Sequence, residues 1–153
     1  MKSKIVFEKL TKKGLTIAFA ESMTGGLACY EMIQYPGASN IVKGSIVAYH
    51  PDIKKDLLKV PERDILAHGI VSEIVSTKMA IGVSNLYHAD IHVGITGNAG
   101  PTLQKDTSHH EAFITILFHK NMHQVHVDLE GLSRQKAIEK TLKKLYDILD
   151  SIL

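Results

Sequence analysis

Ser22 stands in Phe19-Ala20-Glu21-Ser22-Met23-Thr24-Gly25-Gly26, after an apolar stretch and before a segment of helical character. A hydroxyl at the carboxyl end of a buried strand lies where open α/β sheets bind ligands, and the first N–H groups of the next helix have no intrahelical acceptor. Donors near Thr24 and Gly25 suit a developing oxyanion. Gly25 and Gly26 let backbone come close to a substrate and tolerate strained dihedrals. The same residues also fit an ordinary helix start, with Ser22 or Thr24 as the capping acceptor.

Serine is a weak nucleophile, so acyl transfer needs a base. The histidines, His50, His68, His88, His92, His109, His110, His119, His123 and His126, show no spacing that singles one out. A lysine does the same work if burial or neighbouring charge lowers its pKa. Lys54 is the candidate: it follows a strand ending at Tyr49 and lies on a short helix entered through Pro51, so it can meet Ser22 at one sheet edge. Its other reading is a solvated surface charge. His119, His123 and His126 are spaced like metal ligands. They fall at a hairpin tip where alternation does not put all three on one side, so no metal site is expected.

The elements that must position these groups follow from hydropathy period and breakers. Ser3 is expected to cap a first helix carrying Val6, Phe7 and Leu10, stopped at Gly14. A buried strand spans 15–20, a helix 27–34 and a second strand 45–49, followed by the short Pro51 helix, which ends before Pro61. Ser72 opens a longer helix with Ile74, Val75, Met79, Gly82, Val83 and Leu86 at helical spacing. A third strand covers 91–96, residues 112–118 and 124–129 form a hairpin, and Ser133 caps the last helix. There Ile138, Leu142, Leu145, Leu149 and Ile152 make either a coiled-coil seam or a core-facing stripe. The expected fold is one α/β domain over 1–153, a three-layer α/β/α sandwich with a mixed, mostly parallel sheet.

Composition narrows the function. The chain has 153 residues, 44% apolar, without an apolar run near the roughly 18–20 residues that span a bilayer, so no membrane partner is expected. Net charge is +2, the basic residues are dispersed and the only arginines are Arg63 and Arg134, which argues against nucleic acid. Cys29 is the single cysteine, consistent with a reducing compartment, and charged residues interrupt any leader-like start, so a cytoplasmic protein is expected.

Several segments together resemble the CinA carboxyl-terminal domain family, whose members include bacterial nicotinamide mononucleotide amidases. Ala20 to Gly26 is similar to the family's A-E-S-C-T-G-G, with Met23 for cysteine, and Pro36-Gly37-Ala38-Ser39 to its P-G-S-S turn. Val47 to Lys54 resembles V-x-Y-S-N-E-x-K, Leu66 to Glu73 resembles L-x-x-H-G-A-V-S-E, and Thr96 to Pro101 resembles [ST]-G-I-A-G-P with Asn98 for isoleucine. The resemblance implies a serine amidase without metal or organic cofactor: Ser22 attacks the carboxamide of the nicotinamide ring, Lys54 is the base, ammonia leaves, and water releases nicotinic acid mononucleotide. Tyr49 joins the catalytic set, orienting the amine or packing on the pyridine ring. The expected substrate-binding set is Glu21, Thr24, Gly25, Gly26, Ser45, Thr96, Gly97 and Arg134. Ser45, Thr96 and the backbone after it are phosphate donors, while Arg134 lies near the family's G-D-R segment, offset by one. Self-association of relatives implies a homodimer.

The chain departs from the family after Pro101, where paired glycines and K-P-V-G-T-V give way to residues 102–113, with Leu103, His109 and His110 among them. Two readings therefore stand: an active amidase, and a nucleotide-binding or assembly domain that retains the outline without turnover.

Overall fold

Two strands buried on both faces organise the chain. The computed structural model describes residues 1–103 and 107–153. It contains, in order, α1 (Ser3–Lys13), β1 (Ile17–Glu21), α2 (Leu27–Ile33), a 3-10 turn over Ala38–Asn40, β2 (Val42–Val47), α3 (Pro51–Asp56), α4 (Glu62–His68), α5 (Glu73–Ser84), β3 (Ile91–Gly97), β4 (Glu111–Phe118), β5 (Asn121–Asp128) and α6 (Arg134–Ile152). Every residue of β1 and β3 is buried, as central strands of a helix-covered sheet must be.

The sheet order is β2-β1-β3-β4-β5. β1 pairs in parallel with β2 and β3, and β4 runs antiparallel to both β3 and β5. Four strands therefore point one way and β4 alone is reversed, which is the mixed, mostly parallel sheet expected. Alternation divides two cores. Ile17 and Phe19 join Ile91, Val93, Ile95, Ile114 and Ile116 beneath α1, α2 and α6. Ala18 and Ala20 face the other way, toward Leu58, Val75, Met79 and Val83. In α6, Ala137, Leu142, Leu145, Tyr146 and Leu149 are buried in the first core, so its stripe is a core face.

Local differences have physical reasons. Ser3 is the first helical residue and does not cap; its hydroxyl donates to Glu31 Oε2 at 3.0 Å and lies 2.9 Å from Tyr35 Oη. β2 begins at Val42 and ends at Val47, so Tyr49 lies beyond it; Lys43 and Gly44 had masked the strand's start. α4 was not foreseen: none of its residues is buried, so it carries no core stripe to read. Ser72 and Ser133 do cap, accepting from the amides of Val75 and Lys136. Among the described residues, no helix is long and apolar enough to cross a membrane.

α5 packs closely on two sides because a glycine removes the side chain at each contact, Gly94 where β3 meets α5 and Gly82 where α5 meets the segment after α3. A Cβ on Gly94 of β3 would fall 2.2 Å from Ser76 O, and one on Gly82 would fall 2.1 Å from Leu58 O, in both cases against backbone that cannot rotate away. Gly94→Ala is thus expected to lower unfolding free energy by about 1–3 kcal/mol or more. Urea denaturation checks this, and an unchanged midpoint would contradict the packing described.

Candidate active site

β2, β1 and β3 run parallel, so their carboxyl ends share one edge of the sheet and the segments that leave them converge there. Ser22 is the first residue after β1, between the ends of its two neighbours. After β2 the chain turns at Tyr49-His50. His50 caps α3 through Nδ1, which accepts from the Asp52 amide at 3.1 Å, and Pro51 supplies the preset first turn. One turn later α3 delivers Lys54 back toward β1.

Lys54 is 2% exposed and Ser22 6%. The Lys54 Nζ lies 2.9 Å from Ser22 Oγ, 2.8 Å from Ala48 O and 3.3 Å from Tyr49 O. Burial lowers its pKa from 10.5 to about 8, and no acidic neighbour offsets that shift. In the neutral form two N–H bonds serve the two carbonyls and the lone pair is left for the serine proton. The arrangement has the geometry that a serine nucleophile and an amine base would need, a hydroxyl and an amine in hydrogen-bonding contact.

Glu21, expected among the substrate-binding residues, has a different place. It is fully buried, and its carboxylate is taken up by the chain itself. Oε1 accepts from Thr24 Oγ1 at 2.7 Å, the Ala28 amide at 2.8 Å and the Gly26 amide at 3.2 Å; Oε2 accepts from Ser45 Oγ at 2.8 Å and the Cys29 amide at 3.2 Å. Bonds to a charged group contribute about 1.5–3 kcal/mol each, so five together outweigh a burial cost of several kcal/mol for one carboxylate. The acid caps α2, whose N-cap residue Gly26 offers no side chain. Neither Ser22 nor Thr24 is the cap.

This network settles where the rest of the expected set lies. The Thr24 and Ser45 hydroxyls both point at Glu21 and not at an open phosphate site. Gly25 and Gly26 adopt φ of 57° and 99°, the left-handed turn that begins α2, and the Gly25 amide donates to Ser22 O at 3.0 Å. Gly25 is thus not a free oxyanion donor; among the described residues, the Met23 and Thr24 amides have no protein acceptor. Thr96 is buried and donates to Ile70 O at 2.9 Å. Gly97 leaves room for Met23, since a Cβ there would lie 2.1 Å from its sulfur. Arg134 does reach the site: Nη2 donates to Tyr49 Oη at 2.9 Å and Nη1 to Gly100 O at 2.8 Å. Tyr49 is 59% exposed, and it is its carbonyl that touches the amine.

Beyond Pro101, Leu103 is 44% exposed and His110 Nε2 lies 3.1 Å from Pro101 O, while Gln104, Lys105 and Asp106 lie outside the described residues. Asn98, in the position where isoleucine was the family residue, accepts from the Gly100 amide at 3.1 Å and donates to Thr107 Oγ1 at 3.1 Å, tying the turn to the altered loop. His126 pairs with Glu111 at 2.9 Å, and no group of described residues forms a metal-binding cluster.

The amine gives a stability signature with a definite sign. Folding lowers the Lys54 pKa, so between pH 8 and 10.5 the unfolded chain holds the extra proton and stability rises with pH. Compared with Lys54→Met, the wild-type protein should gain about 3 kcal/mol over that interval. Parallel denaturation series at several pH values check it; identical pH dependence of the two proteins would overturn the buried-amine assignment.

Comparison with known proteins agrees with this architecture. The family model for the CinA C-terminal domain matches residues 1–153. A Mycoplasma pneumoniae protein, the MG115 homolog, is 33% identical over 153 residues, covering 100% of this chain and 98% of that one. A CinA-like protein of Prochlorococcus marinus is 43% identical over 115 residues, or 73% of this chain. The chain spans about a quarter to a third of the length of that protein and of several other curated relatives it matches. Among solved structures, a CinA superfamily protein from Escherichia coli superposes with a TM-score of 0.93 at 20% identity, over 99% of this chain and 88% of that one. The competence damage-inducible protein A of Klebsiella pneumoniae superposes with a TM-score of 0.92 at 21% identity, over 97% and 92% of the two chains. With the family model spanning all residues and a full-length relative beside it, the chain belongs to the CinA C-terminal domain family.

Proposed function

We propose that this protein is a serine amidase that converts nicotinamide mononucleotide to nicotinic acid mononucleotide and ammonia, in pyridine nucleotide recycling. The observation that carries the reading is the Lys54 amine, buried, with a lowered pKa, 2.9 Å from the Ser22 hydroxyl. Ser22 Oγ attacks the carboxamide carbon as its proton passes to Lys54 Nζ. The amides of Met23 and Thr24 donate to the resulting oxyanion. Lys54 then returns the proton to the departing nitrogen, which leaves as ammonia. Water, deprotonated by the same amine, cleaves the ester. Membership of the family and the retained Ser22-Tyr49-Lys54 spacing support the choice of substrate, and Arg134, bonded to Tyr49, is the cation assigned to its phosphate.

A second reading rests on the altered loop: side chains such as Leu103 and His110 stand where the family pattern has glycines, which favours a domain that binds the nucleotide without turnover. One experiment separates the two. Purified protein incubated with nicotinamide mononucleotide should release ammonia, Ser22→Ala should abolish release, and Lys54→Met should slow it by about 10²–10⁴-fold. The wild-type rate should rise with pH and level off above about 8, where the amine is neutral. Calorimetric binding without ammonia would favour the second reading, and full activity in either variant would remove the dyad.

A further inference from the structure

The sheet order decides which segments flank Ser22. β1 is flanked by β2 and β3, and Arg134 holds one group beyond each flanking strand: Tyr49 Oη, two residues past the end of β2, and Gly100 O, three residues past the end of β3. Its guanidinium therefore ties together the two segments that leave the strands on either side of β1, the strand that Ser22 follows. This bridge is polar on both sides and is anchored by the first residue of a 19-residue helix. Ser22 is 6% exposed and Lys54 2%. A cleft opens beside the bridge, lined by Leu27, Arg134, Gln135, Ile138 and Glu139. A nucleophile this deeply buried has to be uncovered further before a ring carboxamide can reach it.

Both acceptors of the bridge are neutral. A phosphate or carboxylate offers the guanidinium a charge-assisted, two-pronged contact, roughly twice as strong as bonds to a phenol or a carbonyl. We propose that the Arg134 bridge between Tyr49 and Gly100 is a latch over Ser22, and that the anionic group of the substrate opens it by taking the guanidinium for itself. Anion recognition and access to the nucleophile are then one event, and a neutral amide lacking an anion meets a closed site. The inference rests on the amidase reading for what enters, whereas the latch itself is read by the accessibility of the serine.

The test labels Ser22 with a small neutral sulfonyl fluoride, follows the adduct by intact-mass spectrometry and uses inorganic phosphate as the anion, with Ser22→Ala to identify the labelled site. The wild-type protein should label slowly and about tenfold faster with saturating phosphate. Arg134→Ala should label about tenfold faster than wild type without phosphate and gain nothing from it, and Tyr49→Phe, which keeps the fold and loses one acceptor, should fall between. Equal or slower labelling in Arg134→Ala, or equal phosphate acceleration in it and the wild type, overturns the latch, as do equal rates throughout. Ammonia release with latch-independent labelling would leave the amidase reading intact, and phosphate-gated labelling without ammonia release would remove the amidase reading alone.

Discussion

The desolvation of one amine is the constraint around which the site is arranged. Lys54 ends its side chain among two carbonyls and a hydroxyl, with 2% of its surface exposed and no acid beside it. A carboxylate at that point would hold the ammonium form and remove the lone pair on which proton transfer depends. The surrounding oxygens satisfy N–H donors without supplying negative charge. The result is an amine with a pKa of about 8, close enough to neutrality to supply both protonation states that the proposed acyl transfer needs.

Keeping negative charge away from that amine is a matter of strand parity. Glu21 and Ser22 are adjacent in sequence and point to opposite faces of the sheet. Glu21 follows Ile17 and Phe19 into the core beneath α2, where two hydroxyls and three amides surround it, while Ser22 follows Ala18 and Ala20 toward α3. The acid thus fixes the turn that carries Ser22 without acting on Lys54. It also explains why Thr24 and Ser45, good phosphate donors by type, are occupied within the protein.

Among the described residues, the altered segment after Pro101 touches the turn from Gly97 to Gly100 as well as the end of β5. Asn98 knits that turn to Thr107, Met23 packs on Gly97, and Arg134 reaches Gly100 O. Changes in the loop can therefore act on the rim of the site while the strand ends beneath, held by the sheet, remain in register.

The amino-acid sequence by itself determined the elements with strong local signals. The apolar run at β1, the caps at Ser72 and Ser133 and the breaker glycines were legible because period and capping chemistry act over a few residues. Ser22 was legible as a nucleophile candidate from its place between strand and helix, and Lys54 as its base candidate from the turn at Pro51. Tertiary structure alone decided which of two readings applied to each. α4 buries no residue, so no apolar pattern announced it, and the Lys43-Gly44 interruption of β2 was overridden by pairing with β1. Glu21 became a helix cap, and Arg134 a bridge across 34 and 85 residues of chain. A lysine's type cannot say whether water surrounds it; burial beneath neighbours distant in sequence removes that water, and only then is the amine's pKa lowered far enough for the proposed base role.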